Sequence, residues 1–281
     1  MNAAWAGGAA LRVTVCELPE GPALAGYWSA LVDHVRAAGS DLVVLPETPF
    51  HPWLAREPEF DRRSWAAAVA AHDEWLAGLA ELGGAGVVSS RPVQYAGRRR
   101  NEAFVWSAGQ GYRPLHTKNR LPAEDGYWET VWFEPGPEEP VRVSDHADTR
   151  LAALICSELW YFERARAAGE FGVHLLATPR ATSAGWTDRW LVAGRAAAIC
   201  AGAFSVSSNR VTYAPGGRAA YAGPADFGGC GWIIDPDGDL LGYTSPDEPF
   251  LTRTIDLGRA ERAKETYPRN LVSADRPVPS K

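Results

Sequence analysis

Three residues capable of acyl-transfer chemistry stand at, or just beyond, the ends of buried-looking apolar runs. Glu47 follows Leu42-Val-Val-Leu-Pro46, Lys118 follows Pro114-Leu-His-Thr117, and Cys156 follows Leu151-Ala-Ala-Leu-Ile155. Runs apolar on both faces read as covered strands. Strand ends converge on one rim of a sheet, so residues distant in sequence can share one site. The cysteine has two readings. It is a small buried hydrophobe, as free cysteines commonly are, or a nucleophile whose thiolate is favoured by the N-terminus of a following helix. Glu47 is a loop acid or, within hydrogen-bond reach of the thiol, its general base. Lys118 is a solvated charge or the cation that stabilises the oxyanion formed on attack, worth roughly 3–4 kcal/mol by comparison with a removed oxyanion donor. A lysine between two carboxylates would also keep both ionised.

The elements around these residues follow from hydrophobic periodicity. Residues 11–18 read as a strand, and 23–38 as a helix with Leu24, Trp28, Leu31, Val32 and Val35 on one face. Residues 41–46 form the next strand. A helix over 61–82 is stopped by Gly83-Gly84, and strands crowd together at 86–91, 102–107 and 112–116. Residues 118–140 are rich in Pro, Gly, Trp and acids and lack periodicity, the mark of a loop that carries function. Beyond it lie a strand at 151–155, a helix at 157–168, a strand at 173–177 and a helix at 186–201. The chain then turns strand-rich at 203–208, 230–235 and 250–256, with Asp235-Pro-Asp-Gly238 as a turn. This mixture predicts an α/β protein of two sheets with helices outside them.

Composition excludes several classes. Of 281 residues, 46% are hydrophobic and 22% charged, which is globular, and the net charge of −6 has no basic stripe for a nucleic-acid backbone. No run of 18 apolar residues exists to span a membrane, and no signal-peptide pattern opens the chain, so a cytoplasmic protein is expected. Cys16, Cys200 and Cys230 read as structural, and the cysteine spacing fits neither a disulfide framework nor a zinc site. No break in composition divides the chain, so residues 1–281 are expected to form one domain.

At this point the sequence resembles the nitrilase superfamily of carbon–nitrogen hydrolases. Asp41-Leu-Val-Val-Leu-Pro-Glu47 is similar to its first motif. Lys118-Asn-Arg-Leu-Pro122, continuing through Gly126-Tyr-Trp-Glu129 to Trp132-Phe-Glu-Pro-Gly136, is similar to the second, and Leu154-Ile-Cys-Ser-Glu-Leu-Trp160 to the third. Ser207-Ser-Asn-Arg210, Gly228-Gly-Cys-Gly and Ile234-Asp-Pro-Asp-Gly238 resemble later family features, giving a core of about 12–256 and a tail of about 257–281. The resemblance implies an α-β-β-α sandwich that often pairs into a homodimer or larger homo-oligomer. It implies Glu47 as base, Lys118 as oxyanion stabiliser together with a backbone N–H, and Cys156 as acylated nucleophile, with no metal or other cofactor. The family's additional glutamate falls on Glu129, with Glu124 as competitor, and Glu158 would support the turn that carries the cysteine.

The expected substrate is a small amide or carbamoyl compound, with a nitrile as a variant and transfer to another acceptor left open. A catalytically silent binding protein is the alternative from a different class. Trp53, Trp128, Trp132, Trp160 and Trp186 lie near the motif loops and suggest an aromatic-walled pocket, Trp53 and Trp160 being assigned to substrate. Arg180 could hold a substrate carboxylate or form an ion pair at the pocket rim.

Overall fold

The computed structural model describes residues 10–212 and 225–271. The first part of the chain forms β1 (Ala10–Pro19), α1 (Leu24–Ala38), β2 (Leu42–Val44), α2 (Arg62–Gly78), β3 (Gly86–Tyr95), β4 (Arg98–Ser107) and β5 (Gly111–Thr117). A short helix α3 (Glu129–Trp132) leads to β6 (Ser144–His146), β7 (Thr149–Ala153), α4 (Phe162–Glu170), β8 (Leu175–Arg180) and α5 (Thr187–Ala201). The remainder is β9 (Phe204–Val211), β10 (Trp232–Ile234), β11 (Leu240–Tyr243), β12 (Phe250–Asp256) and α6 (Leu257–Lys264).

Strand β1 joins two sheets. Its first residues pair with β12 on one edge and β2 on the other, giving the order β5-β4-β3-β2-β1-β12. Its last residues, Glu17 to Pro19, pair in parallel with Asn209 to Val211 of β9, which belongs to the second sheet, β6-β7-β8-β9 with β10 and β11 beyond. Side chains alternate across each pleat. Leu42 and Val44 therefore enter a core cluster shared with Leu151, Ala177, Val206 and Ile233 of the second sheet, while Val43 and Leu45 face the other way. That outer face is covered by α1, which buries Leu24, Trp28, Leu31, Val32 and Val35.

On the second sheet, α5 presents Ala193, Gly194, Ala197, Ala198 and Ala201, small residues that let it approach closely. A Cβ on Gly194 would come within 2.8 Å of the Trp232 ring, so that position has no room for one. The layers are thus helix, sheet, sheet, helix, the α-β-β-α sandwich expected.

Two local expectations change. The helix expected over 157–168 begins instead as a 3-10 turn, Cys156–Trp160, and α4 starts only at Phe162. Residues 257–264, placed in a tail by the resemblance, form α6, capped by Asp256 through Gly258 N and burying Leu257, Ala260 and Ala263. Among the described residues no helix is long and apolar enough to cross a membrane.

Candidate active site

The ends of β2, β5 and β7 meet where the sequence pattern predicts. Glu47 lies three residues past β2, its backbone N–H donating to the Arg180 carbonyl at 3.2 Å. Lys118 immediately follows β5 and donates its backbone N–H to the Asn101 carbonyl at 2.8 Å. The loop returns beside it through Gly136, whose N–H reaches the Lys118 carbonyl at 2.8 Å; a Cβ there would lie 2.5 Å from the Thr117 oxygen. Glu129 opens α3.

The Lys118 ammonium sits between two carboxylates. Its Nζ donates to Glu47 Oε1 at 2.8 Å and to Glu129 Oε1 at 2.7 Å, and all three side chains are shut off from solvent. Asn101 Nδ2 adds a third contact, 2.8 Å to Glu47 Oε1. Burial lowers the lysine's affinity for its proton, but the charges of Glu129 and Glu47 outweigh that and hold it firmly protonated. One ammonium does not offset two buried carboxylates. Burial, opposed by Lys118 and reinforced by Glu47, pushes Glu129 up to about 8. The expectation that the lysine keeps both acids ionised thus meets an opposing push at Glu129. The second oxygens, Glu47 Oε2 and Glu129 Oε2, are buried with no hydrogen-bond partner.

Cys156 occupies a strained position. Its φ is +49°, in the left-handed region that a non-glycine side chain disfavours, and such strain collects at functional sites. The thiol lines a cavity and leans toward the Ala181 carbonyl at 4.0 Å. Burial pushes it well above its ordinary range, Glu47 adds to that, and Lys118 only partly opposes it. The expectation of a thiolate stabilised by a helix N-terminus therefore fails: the turn is a five-residue 3-10 segment, and the resting group is a thiol. A base must take its proton as it attacks.

Behind the turn, Glu158 ties the lysine segment to the cysteine segment. Its Oε1 accepts from Asn119 N at 2.9 Å, its Oε2 from Ile155 N at 2.9 Å, and His116 Nε2 lies 2.8 Å from both. Asn119 follows Lys118 and Ile155 precedes Cys156, so one carboxylate sets the spacing of both. Burial raises its pKa, but the His116 interaction and the two backbone donors more than offset that and hold it below the usual range. Glu158 thus has the supporting place expected of it.

The cavity has a volume of about 570 Å³. Its floor includes Cys156 and Glu129, its walls Tyr127, Trp160, Trp186 and Trp190, and its mouth Glu124 and Asp125. Trp53 and Arg180 are not in its lining. Trp53 is buried behind Tyr127, with Nε1 donating to Gly126 O at 3.0 Å and its ring edge-on to Tyr127 and Phe227. Trp132 is buried too, donating to Glu57 O, and Trp128 is outside the lining.

Arg180 is 1% exposed and, among the described residues, pairs with no carboxylate. It donates to Ser207 Oγ, Thr182 Oγ1 and the Cys230 carbonyl, and its guanidinium lies 3.9 Å from the Trp232 ring centroid. Burial lowers its pKa to about 10. Its site is interior, with neither an ion pair nor an opening at the rim. Among the described residues no group of three or more His, Cys, Asp or Glu is arranged to hold a metal ion.

The family model described as carbon–nitrogen hydrolase matches residues 12–265. The chain belongs to the carbon–nitrogen hydrolase family. Solved structures share its fold. A carbon–nitrogen hydrolase from Helicobacter pylori is 20% identical, with a TM-score of 0.80, covering 95% of this chain and 96% of that one. A CN-hydrolase superfamily protein from Xanthomonas campestris, described with an arsenic adduct in its active site, is 20% identical with a TM-score of 0.73, covering 92% and 96%. A variant of an amidase from Nesterenkonia sp. is 20% identical with a TM-score of 0.70, covering 90% and 92%; it is described with covalent addition of the acetamide moiety of fluoroacetamide at the active site cysteine. Comparison with the curated proteins finds no match.

In this carbon–nitrogen hydrolase fold, sequence reasoning did not single out Asn101, Tyr127 or Trp190. Asn101 gave one faint signal, a residue depleted in strands at the head of the apolar run from Ala103 to Trp106. Trp190 lies on α5 and reads as core from its helical spacing; only the tertiary placement of that helix brings it to the cavity.

Proposed function

We propose that the protein is a cysteine-dependent hydrolase of small linear amides, an amidase or N-carbamoyl amidohydrolase, acting through a thioester. The observation that carries the reading is the buried Lys118 ammonium held between Glu47 and Glu129, beside a strained cysteine that opens on a cavity. The amidase whose described structure has an acetamide moiety on its active-site cysteine adds support, being similar in fold.

The resting group at Cys156 is a thiol, so attack begins with transfer of its proton to Glu47. Sulfur bonds to the carbonyl carbon, and the Lys118 ammonium stabilises the charge that gathers on oxygen. The carbon–nitrogen bond breaks as Glu47 returns the proton to nitrogen, and ammonia or an amine leaves. Water enters, gives a proton to Glu47 and attacks the thioester carbon. The carbon–sulfur bond breaks, the acid departs, and sulfur recovers its proton. Glu129 keeps Lys118 aimed at the cavity floor.

Screening aliphatic amides, carbamoyl amines and carbamoyl amino acids for ammonia release tests the reading. Turnover of at least one class, absent from Cys156→Ala, is expected. A well-folded protein that turns over none of them, or a Cys156→Ala variant of undiminished activity, contradicts it.

A further inference from the structure

The charge and chemistry of the cavity mouth select among amides. Among the described residues, the lining holds three carboxyl groups, Glu124, Asp125 and Glu129, and no lysine, arginine or histidine. Glu124 and Asp125 are exposed and, among the described residues, make no ion pair. Glu129, wholly buried in the same cavity, has an Oε2 with no hydrogen-bond partner. The lining also holds the indoles of Trp160, Trp186 and Trp190, whose negative ring faces attract cations. Trp186 already carries one on its surface, the Arg189 guanidinium, 4.6 Å from the ring centroid.

The cation that sequence reasoning offered for a substrate carboxylate lies elsewhere. Arg180 gives its donors to Ser207, Thr182 and the Cys230 carbonyl and stacks on Trp232. A carboxylate-tailed amide entering this cavity would meet two acids at the mouth and no countercharge in the described lining, which disfavours its binding.

We propose that the cavity takes amides whose far end bears a protonated amine, with the reacting carbonyl at Cys156 and the ammonium held by Glu124, Asp125 and the tryptophan walls. This rests on the amidohydrolase reading and narrows it. A protonated amine keeps its three donors partly in water at the mouth, so little desolvation opposes the attraction. Exposed ion pairs and one cation–π contact together give a preference of about tenfold over a methyl-ended amide. Glu124, the competitor for the additional glutamate, thereby acquires a role of its own.

The test uses three series of equal chain length: ω-amino amides, n-alkyl amides and dicarboxylic acid monoamides. Ammonia release should give the highest kcat/KM for the ω-amino series, by about tenfold over alkyl amides, and the lowest for the monoamides. The ratio of amino to alkyl kcat/KM should collapse toward one in the double variant Glu124→Gln, Asp125→Asn, and shrink as salt is raised. Equal or reversed preference among amides that are hydrolysed overturns the inference while leaving the amidohydrolase reading intact. Should no amide be hydrolysed, the reading fails, and titration of tryptophan fluorescence with a primary alkylammonium ion still decides the cation site. Saturable quenching lost in the double variant supports it; no saturable quenching overturns it.

Discussion

Glu129 and Glu158 are both wholly buried carboxyl groups within the same site, and their surroundings push them in opposite directions. Glu158, behind the cysteine turn, has both oxygens occupied by backbone and imidazole nitrogens and is held below the usual carboxylate range. Glu129, on the cavity side, has one oxygen on Lys118 and the other on nothing, and is pushed up to about 8. Burial alone does not tell a structural acid from a reacting one. The count of satisfied oxygens does, because an unpaired buried polar group costs stability and persists where something else makes use of it.

The contrast breaks most readily at the residue shared by the cavity-side acids. Replacing Lys118 by Met removes the cation from between two buried carboxyl groups, and kcat/KM for any amide substrate should fall on the order of 10³-fold. A fall below tenfold would mean that Lys118 is structural. Removing Glu158 should act first on stability. Glu158→Ala leaves His116 and the Asn119 and Ile155 N–H groups without their acceptor, costing about 3 kcal/mol in urea unfolding at pH 7. Activity should fall with it, through mispositioning of Lys118 and Cys156; full stability in that variant would mean that Glu158 is not the structural acid of the pair.

The pH dependence sharpens the comparison, with opposite signs for the two acids. Glu129 binds its proton more tightly folded than unfolded, so between the ordinary glutamate range and pH 8 the folded state holds the extra proton, and stability falls as pH rises. Glu129→Gln should flatten that decline in urea unfolding between pH 6 and pH 8 while lowering activity. Glu158 releases its proton more readily folded than unfolded. Its contribution is present above the ordinary glutamate range and is lost as pH falls through its depressed folded value. The smallest effect is therefore a flatter acid limb of the unfolding profile in Glu158→Gln. Profiles that change in the opposite directions would reverse the two assignments.

Much of this site was legible before the fold. Glu47 and Cys156 each end an apolar run and Lys118 ends a strand-like segment, a pattern visible without knowing how strands pair, and the motif order of the resembled family supplied Glu129. What was not legible depends on the third dimension. Asn101 sits on β4 and reaches Glu47 only because β5 and the segment after β2 end beside it. Arg180 drew attention as a charge after a strand, but its partners are a carbonyl, two hydroxyls and the face of Trp232, none adjacent in sequence. The thiol's resting state was misjudged for a similar reason: the helix inferred from periodicity begins as a 3-10 turn, and the burial and the Glu47 charge that raise the thiol are set by tertiary placement. Strand and helix periods pointed to two sheets with helices outside them and the family resemblance to the α-β-β-α sandwich, while α6 was hidden in a charged stretch where only Leu257, Ala260 and Ala263 mark the buried side.

The central claim is that Cys156 carries the acyl group even though it is 5% exposed and Cys200 and Cys230 are more accessible. Acid-quenching the protein during steady turnover of an amide, followed by peptide mass analysis, addresses it directly. The account predicts one acyl group, on the Cys156 peptide and labile to hydroxylamine. An acyl group on Cys16, Cys200 or Cys230, or a protein in full turnover whose Cys156 is never acylated, would contradict it.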